Sequence, residues 1–93
     1  MENRIVITGL GVVSPIGIGK STFWESLIAG KSGVGPITRF NASGFPSRVA
    51  GEVKHFDAGS FIRAKDLRRM DLFSQYGVVA AKMAVEDSRL GIN

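Results

Sequence analysis

The sequence contains no cysteine and only one histidine, His55. Without thiols the chain forms no disulfide, no thiolate metal site and no cysteine nucleophile. A single histidine cannot act as a general base and also supply a second metal ligand, and His55 lies in a polar link where a solvated side chain is the ordinary state. We therefore predict no catalytic residue, no metal site and no cofactor-binding residue in this sequence.

Long apolar runs are absent as well. Glycine, proline or a charged residue interrupts every apolar stretch well before the ~20 residues that a membrane span needs. Glu2 precedes Arg4, and the run that follows carries glycines and Pro15, which fits neither a secretory signal nor an Arg-rich transit peptide. The sequence therefore predicts a cytoplasmic protein without a membrane partner.

The charge that is present is moderately positive, with 12 Lys and Arg against 8 Asp and Glu and a net charge of +4. Such an excess favours an acidic partner, and nucleic acid, an anionic lipid surface and an acidic carrier protein all fit it. With 44% hydrophobic and 22% charged residues in a chain of 93, the composition is typical of a globular protein with at most one domain.

The opening segment, 4–13, is apolar on both alternations, which is typical of a strand buried on both faces. Its two glycines, Gly9 and Gly11, indicate a bulge or a close backbone approach by a neighbouring segment. A helix is predicted to begin near Ser21 or Thr22, where Thr22-x-x-Glu25 has the form of a capping box, and to end before a left-handed Gly30. Strand, loop and helix form half of a βαβ unit and predict an α/β fold.

The middle of the chain is rich in Gly, Ser and Pro, so we predict a long surface excursion without regular structure over Lys31–Arg48. A short strand over Val49–Val53 and a helical turn over 56–61 follow. A second helix is predicted from a cap at Asp71 to about Leu90, stopping at Gly91. Apolar residues surround most of this helix, which predicts burial on most sides, and its small residues allow close packing by another element: Gly77, Ala80, Ala81 and Ala84.

Two nucleotide-binding motifs come close to matching. Ser14–Ser21 fits the phosphate-binding loop G-x-x-x-x-G-K-[ST] except at its first glycine. Pro15 has no N–H to offer a phosphate, and Ser14 replaces a glycine whose backbone must bend sharply, so the chemistry argues against this site. Gly9–Ser14 likewise lacks the last glycine of G-x-G-x-x-G, and tight packing explains its glycines better.

A basic cluster follows the predicted helical turn: Arg63, Lys65, Arg68 and Arg69. Lys65, Arg68 and Arg69 are spaced at i, i+3 and i+4, so in a helix they share one face. This spacing is compatible with a compact anion-binding patch and equally with an ordinary solvated face.

Several blocks of sequence, taken together and in order, strongly resemble one family and cover nearly the whole chain. The blocks that carry the resemblance are 4–17, Phe23–Glu25, Leu27–Gly33, Gly35–Phe40, Ala50–Phe56 and Arg68–Asp71 with Gln75 and Tyr76. With these blocks the sequence resembles the N-terminal portion of the β-ketoacyl-acyl-carrier-protein synthases, the elongating condensing enzymes of type II fatty-acid synthesis.

The resemblance implies both a fold and an activity. The fold is the N-terminal part of a thiolase-like layered α-β-α-β-α sandwich, with the opening segment as a core strand. Members of the family are homodimers that transfer an acyl group from carrier protein to an active-site cysteine and condense it with malonyl carrier protein, releasing carbon dioxide. The cysteine and two histidines follow much later in the family's chains. Residues 1–93 are therefore expected to be an incomplete N-terminal segment, inactive alone, and no catalytic role is carried onto His55.

The resemblance also implies a role for the basic cluster. Lys65, Arg68 and Arg69 match positions at which family members dock the acidic recognition helix of acyl carrier protein, although Ala64 departs from a commonly basic position. The expected partners are acyl carrier protein, the remainder of the synthase and a second subunit, with neither nucleic acid nor membrane. The alternative that the sequence leaves open is a stand-alone binding module for an acidic partner or a nucleotide.

Overall fold

The computed structural model describes residues 3–91, which divide into two units. One unit is Val13–Phe56, and the other combines 3–12 with 57–91. Four short strands, one 3₁₀ turn and three helices are formed: β1 (Val13–Ser14), β2 (Gly17–Ile18), α1 (Lys20–Ile28), β3 (Val34–Pro36), β4 (Val49–Gly51), the 3₁₀ turn (Ala58–Ser60), α2 (Ala64–Leu67) and α3 (Leu72–Ser88).

Helix α1 begins at Lys20, earlier than the sequence indicated. Its N-cap is Gly19, whose φ of 93° is accessible to glycine with little strain, and the carbonyl of Gly19 accepts the first helical bond from Phe23 N–H at 3.0 Å. The capping box predicted at Thr22 is wrong, because Thr22 lies inside the first turn and no side chain caps this end. The glycine determines where the chain turns into the helix.

The C-terminal end of α1 confirms the prediction for Gly30, which has a φ of 71°. Gly30 N–H donates to the carbonyl of Leu27 at 3.1 Å, and Lys31 N–H donates to the carbonyl of Ser26 at 3.0 Å. This pair of bonds is a Schellman motif, which satisfies two carbonyls that the helix leaves open.

Strands β3 and β4 form an antiparallel hairpin in which Val34 is opposite Gly51 and Pro36 is opposite Val49. The strand predicted at Val49 is confirmed, although it ends at Gly51. The prediction of no regular structure from Lys31 to Arg48 is wrong for Val34–Pro36. A proline is compatible with this strand because a two-stranded ribbon consists of edge strands, where a missing N–H breaks no second ladder.

The opening segment is not a strand over 3–12; only its last residue, Val13, is part of β1. Ile5 is 97% exposed and Ile7 82% exposed. A strand needs a hydrogen-bonded neighbour, and in the described part of the chain no strand pairs with this segment. A long-range hydrogen bond runs from Leu10 N–H to Asp87 Oδ2 on α3, at 2.9 Å.

The glycines of the opening segment pack closely on α3, as predicted. A β-carbon at Gly11 would overlap the carbonyl oxygen of Ala80 and lie 2.8 Å from the backbone nitrogen of Ala84. A β-carbon at Gly9 would overlap the carbonyl oxygen of Ala84 and lie 2.6 Å from Ser88 N. Backbone meets backbone at this contact, so only glycine fits on the opening segment.

The turn and the last helix begin where the sequence predicted. Asp57 Oδ1 accepts a hydrogen bond from Gly59 N–H at 3.0 Å and caps the 3₁₀ turn. Asp71 occupies the N-cap position of α3, but its side chain makes no capping hydrogen bond. The helix ends at Ser88, because the left-handed Arg89, with a φ of 56°, stops it short of the predicted Leu90.

The core of the unit that combines 3–12 with 57–91 is small. Val79 is fully buried, and Ala58 and Ile62 are nearly so. The prediction that α3 is buried on most sides is wrong for the described chain: Val79 is its one buried residue, and Phe73 is 73% exposed. The described residues cover one side of the helix, whereas Leu72, Phe73 and Val85 are exposed.

A matched pair of glycine substitutions tests the contact with α3. Gly11→Ala is expected to reduce the free energy of unfolding by roughly 1–3 kcal/mol, because overpacking against backbone forces a shift. Gly77→Ala, in the interior of α3 with open space around it, is expected to stabilise by about 1 kcal/mol through helix propensity. Urea unfolding of the chain at one fixed protein concentration measures both changes in the free energy of unfolding. Equal effects of the two substitutions would contradict the packing described here.

Candidate functional site

The predicted basic cluster lies on a single helical turn rather than on a longer helix. Helix α2 contains Lys65 but ends at Leu67, with Arg68 as its C-cap and Arg69 beyond it. The sequence predicted that these three residues share one face of a helix. The structure corrects this prediction, because the α-helix ends before Arg68 and Arg69. The turn tightens at this end, since Arg69 N–H donates to the carbonyl of Asp66 at 3.1 Å in a 3₁₀-type bond. We call residues 63–69 the basic turn.

The side chains of the basic turn divide into one pair and three remaining cations. Arg63 Nε donates to Asp66 Oδ2 at 3.0 Å in an exposed ion pair. Lys65, Arg68 and Arg69 are exposed, and within residues 3–91 no side-chain partner neutralises them. Because the only carboxylate in the turn is already engaged, the local field is positive.

Two hydrogen bonds attach the basic turn to α3, one on each side of it. Lys82 Nζ donates to the carbonyl of Phe61 at 2.6 Å, just before the turn. Gln75 Nε2 donates to the carbonyl of Met70 at 3.1 Å, just after it. Ile62 anchors the same stretch in the core. The backbone of the turn is therefore held at both ends, which lowers the backbone entropy that the turn loses on binding a partner. Sequence reasoning missed Lys82, since no local pattern relates it to Phe61.

The near match to a phosphate-binding loop folds as a tight hairpin. Val13 pairs with Ile18 and Ser14 with Gly17, so Pro15 and Ile16 form the turn. Ser14 Oγ donates to the carbonyl of Gly17 at 2.8 Å, which closes the hairpin on itself. A phosphate-binding loop instead directs several successive N–H groups at one anion. This geometry agrees with the chemical argument against a nucleotide site.

His55 and the carboxylates form no metal-binding group. His55 is exposed and has a left-handed φ of 57°. Among residues 3–91, no three His, Asp or Glu side chains come together in a way that would hold a metal ion. Over the same residues, no helix is both long enough and apolar enough to span a bilayer.

Among residues 3–91, Glu52 is the one carboxylate that is buried, and sequence reasoning missed its role. Its oxygens accept hydrogen bonds from Thr38 Oγ1 at 2.8 Å, from Thr38 N–H at 3.2 Å and from Arg39 N–H at 3.3 Å. The Thr38 hydroxyl first, then the backbone N–H groups and the Arg39 charge, lower the pKa of Glu52, although burial opposes them. The carboxylate therefore stays ionised and fixes the chain that follows β3.

The fold class emerges from comparison with a solved structure. The ishigamide ketosynthase/chain length factor superposes with a TM-score of 0.83 and 46% sequence identity, over 91% of this chain and 21% of that one. The predicted fold class, the N-terminal part of a thiolase-like α/β fold, is confirmed. The family described as "Beta-ketoacyl synthase, N-terminal domain" matches residues 2–93. The chain belongs to this family, as its sequence blocks predicted.

Three of the curated relatives that the chain matches carry the same name. The chain is 52% identical over 92 residues to 3-oxoacyl-[acyl-carrier-protein] synthase 2 of Coxiella burnetii. It is 46% identical to the proteins of the same name from Synechocystis and Staphylococcus aureus, again over 92 residues. Each match includes 99% of this chain but 22% of the relative. The chain thus spans about a fifth of the length of these synthases.

The Glu52 cluster predicts a dependence of stability on pH. Because the folded-state pKa lies below the ordinary value of 4.5, Glu52 contributes stability above pH 4.5 that is lost as the pH falls through the lowered value. Glu52→Gln is expected to be less stable than the parent at pH 7, since an amide nitrogen faces N–H donors, and the difference should shrink below pH 4.5. Urea unfolding at pH 7 and pH 3 measures it. A difference that is constant with pH would exclude this role for the charge.

Proposed function

We propose that this chain is the N-terminal part of a 3-oxoacyl-acyl-carrier-protein synthase of fatty-acid biosynthesis. The observation that carries the proposal is the family match over residues 2–93, together with 46–52% identity to synthases of that name. The reaction is the decarboxylative condensation of an acyl thioester with malonyl carrier protein, an acyl transfer. With no cysteine and one histidine in the sequence, its nucleophile and histidines are supplied by residues outside these 93.

In this proposal the chain contributes a docking surface and part of the scaffold. Lys65, Arg68 and Arg69 bind the acidic surface of acyl carrier protein. Their support is physical: three exposed cations stand on a turn that is held at both ends, and its one carboxylate is engaged by Arg63. Such a surface attracts an acidic protein over a distance of about one Debye length and orients it on arrival.

The exposed apolar side chains of the unit that contains α3 support the proposal that this unit contacts further protein. So many exposed large apolar side chains in one small unit are typical of a surface that other protein covers. We assign them to contacts with the remainder of the synthase and, through it, with a second subunit, so that residues 1–93 are an incomplete N-terminal segment. The assembly is placed in the cytoplasm, where fatty-acid synthesis of this type occurs. These side chains are Ile5, Val6, Ile7, Leu10, Leu72, Phe73, Val85 and Leu90.

A chimaera tests the activity. In it, this chain replaces the matching 92 residues of the Coxiella burnetii relative, and we expect it to condense acyl and malonyl carrier protein. The 93-residue chain alone is expected to release no carbon dioxide from malonyl carrier protein, because the histidines that would stabilise the enolate formed on decarboxylation lie, in this proposal, outside it, as does the nucleophilic thiol that condensation needs. Radiolabelled carbon dioxide release measures both, with the unaltered relative as the control. A folded but inactive chimaera, or activity in the chain alone, would contradict the proposal.

A pair of charge reversals in the chimaera tests the docking surface. Arg68→Glu is expected to weaken the binding of acyl carrier protein about tenfold at low salt, with a smaller effect at high salt, because an attraction becomes a repulsion. Lys31→Glu makes the same change in net charge at an exposed site far along the sequence and is expected to have little effect. Titration calorimetry at two salt concentrations measures both. If the two variants bind equally well, the basic turn is not the docking site.

A further inference from the structure

The carboxylate of the basic turn, that of Asp66, has an arginine at the same spacing on either side of it along the chain. Arg63 precedes Asp66 by three residues, and Arg69 follows it by three. Side chains at this spacing on a helical turn are neighbours, so either arginine is suited to pair with the carboxylate. The structure pairs Asp66 with Arg63, and among residues 3–91 it leaves Arg69 without an ion pair. The choice of partner determines which of the two arginines stays free.

The backbone explains why Arg63 is the partner. Arg63 is the N-cap of α2 and has an extended backbone, with a φ of −64° and a ψ of 144°. Its carbonyl accepts the first hydrogen bonds of the turn, from Asp66 N–H at 3.0 Å and from Leu67 N–H at 3.1 Å. Its side chain then reaches back over the same turn, and Nε donates to Asp66 Oδ2 at 3.0 Å. Arg63 is therefore joined to Asp66 through both its backbone and its side chain.

Asp66 has the unfavourable sign of charge for a surface that binds an acidic protein. A carboxylate on such a surface repels the partner, since like charges that face each other across an interface cost binding energy. If it were released from Arg63, the carboxylate would also be free to pair with Arg69, one of the three cations to which docking is assigned. The ion pair with Arg63 opposes both effects.

We propose that Arg63 is a positioning residue of the carrier-docking surface, which holds the Asp66 carboxylate and so keeps Arg69 free for acyl carrier protein. This inference rests on the proposed function for the identity of the partner. It divides the basic turn by role, because Lys65, Arg68 and Arg69 contact the partner whereas the fourth cation acts through a carboxylate. A purely structural role has a different consequence. If the ion pair only held α2 in shape, the loss of either member would weaken binding, whereas in the proposed role the loss of Asp66 strengthens it.

A double-mutant cycle in the chimaera tests this role. Asp66→Asn is expected to tighten the binding of acyl carrier protein about threefold at low salt, because a repulsion is removed. Arg63→Gln is expected to weaken binding about fivefold in the parent and less than about twofold in the Asp66→Asn background, where no carboxylate is released. Lys31→Gln is the matched control, since it removes the same charge at an exposed site in the other unit, and its small effect should be equal in both backgrounds. Calorimetric titration measures binding, and the melting temperature of each free chimaera is measured beside it.

The outcomes separate this inference from the docking proposal. If Arg68→Glu weakens binding but Arg63→Gln has the same effect in both backgrounds, Arg63 is an ordinary docking cation, and the inference is overturned while the docking surface stands. Weaker binding by Asp66→Asn at an unchanged melting temperature would overturn it as well. If Arg68→Glu has no effect, the docking proposal fails and the inference fails with it. Should Asp66→Asn lower the melting temperature, Asp66→Ser repeats the cycle with a second neutral side chain.

Discussion

The contact between the opening segment and α3 is the constraint on which one unit of this structure depends. Gly9 and Gly11 lie against the helix backbone at Ala80 and Ala84, and any larger residue would overlap a carbonyl oxygen. With the segment in place, Asp87 accepts a hydrogen bond from Leu10 N–H, and Val79 is fully buried. Helix α3, fixed in this way, supplies the side chains that hold the basic turn. Packing at a few small residues thus positions charged residues elsewhere in the same unit.

Local signals in the sequence predicted the ends of elements better than their pairing. Gly30 acts through bonds to residues within a few positions, and its left-handed conformation was predicted correctly. The strand predicted over 4–13 was wrong for 4–12, because a strand is defined by a neighbour and the described chain provides none for these residues. The start of α1 was wrong because Thr22 and Gly19 are both plausible caps by type, and the backbone conformation at Gly19 decides between them.

The candidate site likewise combines features that local sequence patterns predict with features that depend on the fold. The spacing of Lys65, Arg68 and Arg69 predicted three exposed cations close together in sequence, and the structure leaves all three exposed. The pair of Arg63 with Asp66 is local, with i, i+3 spacing, but it was not predicted. The bond from Lys82 to Phe61 spans 21 residues, and the Glu52 cluster spans 14, so neither follows from a local pattern. The contacts that position the site therefore depend on the fold and could not be predicted from local sequence.

In the proposed function the chain contributes recognition rather than chemistry, and its exposed side chains are divided accordingly. In the unit that contains α3, the exposed apolar side chains lie on the opening segment, on α3 and just after it, whereas the free cations lie on the basic turn. A further protein segment that buries Ile5, Ile7 or Phe73 therefore gains apolar area without having to desolvate Lys65, Arg68 or Arg69, a cost that would offset much of the gain. Because the two sets of residues do not overlap, the proposed assembly and the proposed carrier docking would use separate side chains, and each could be altered by substitution without directly removing the other.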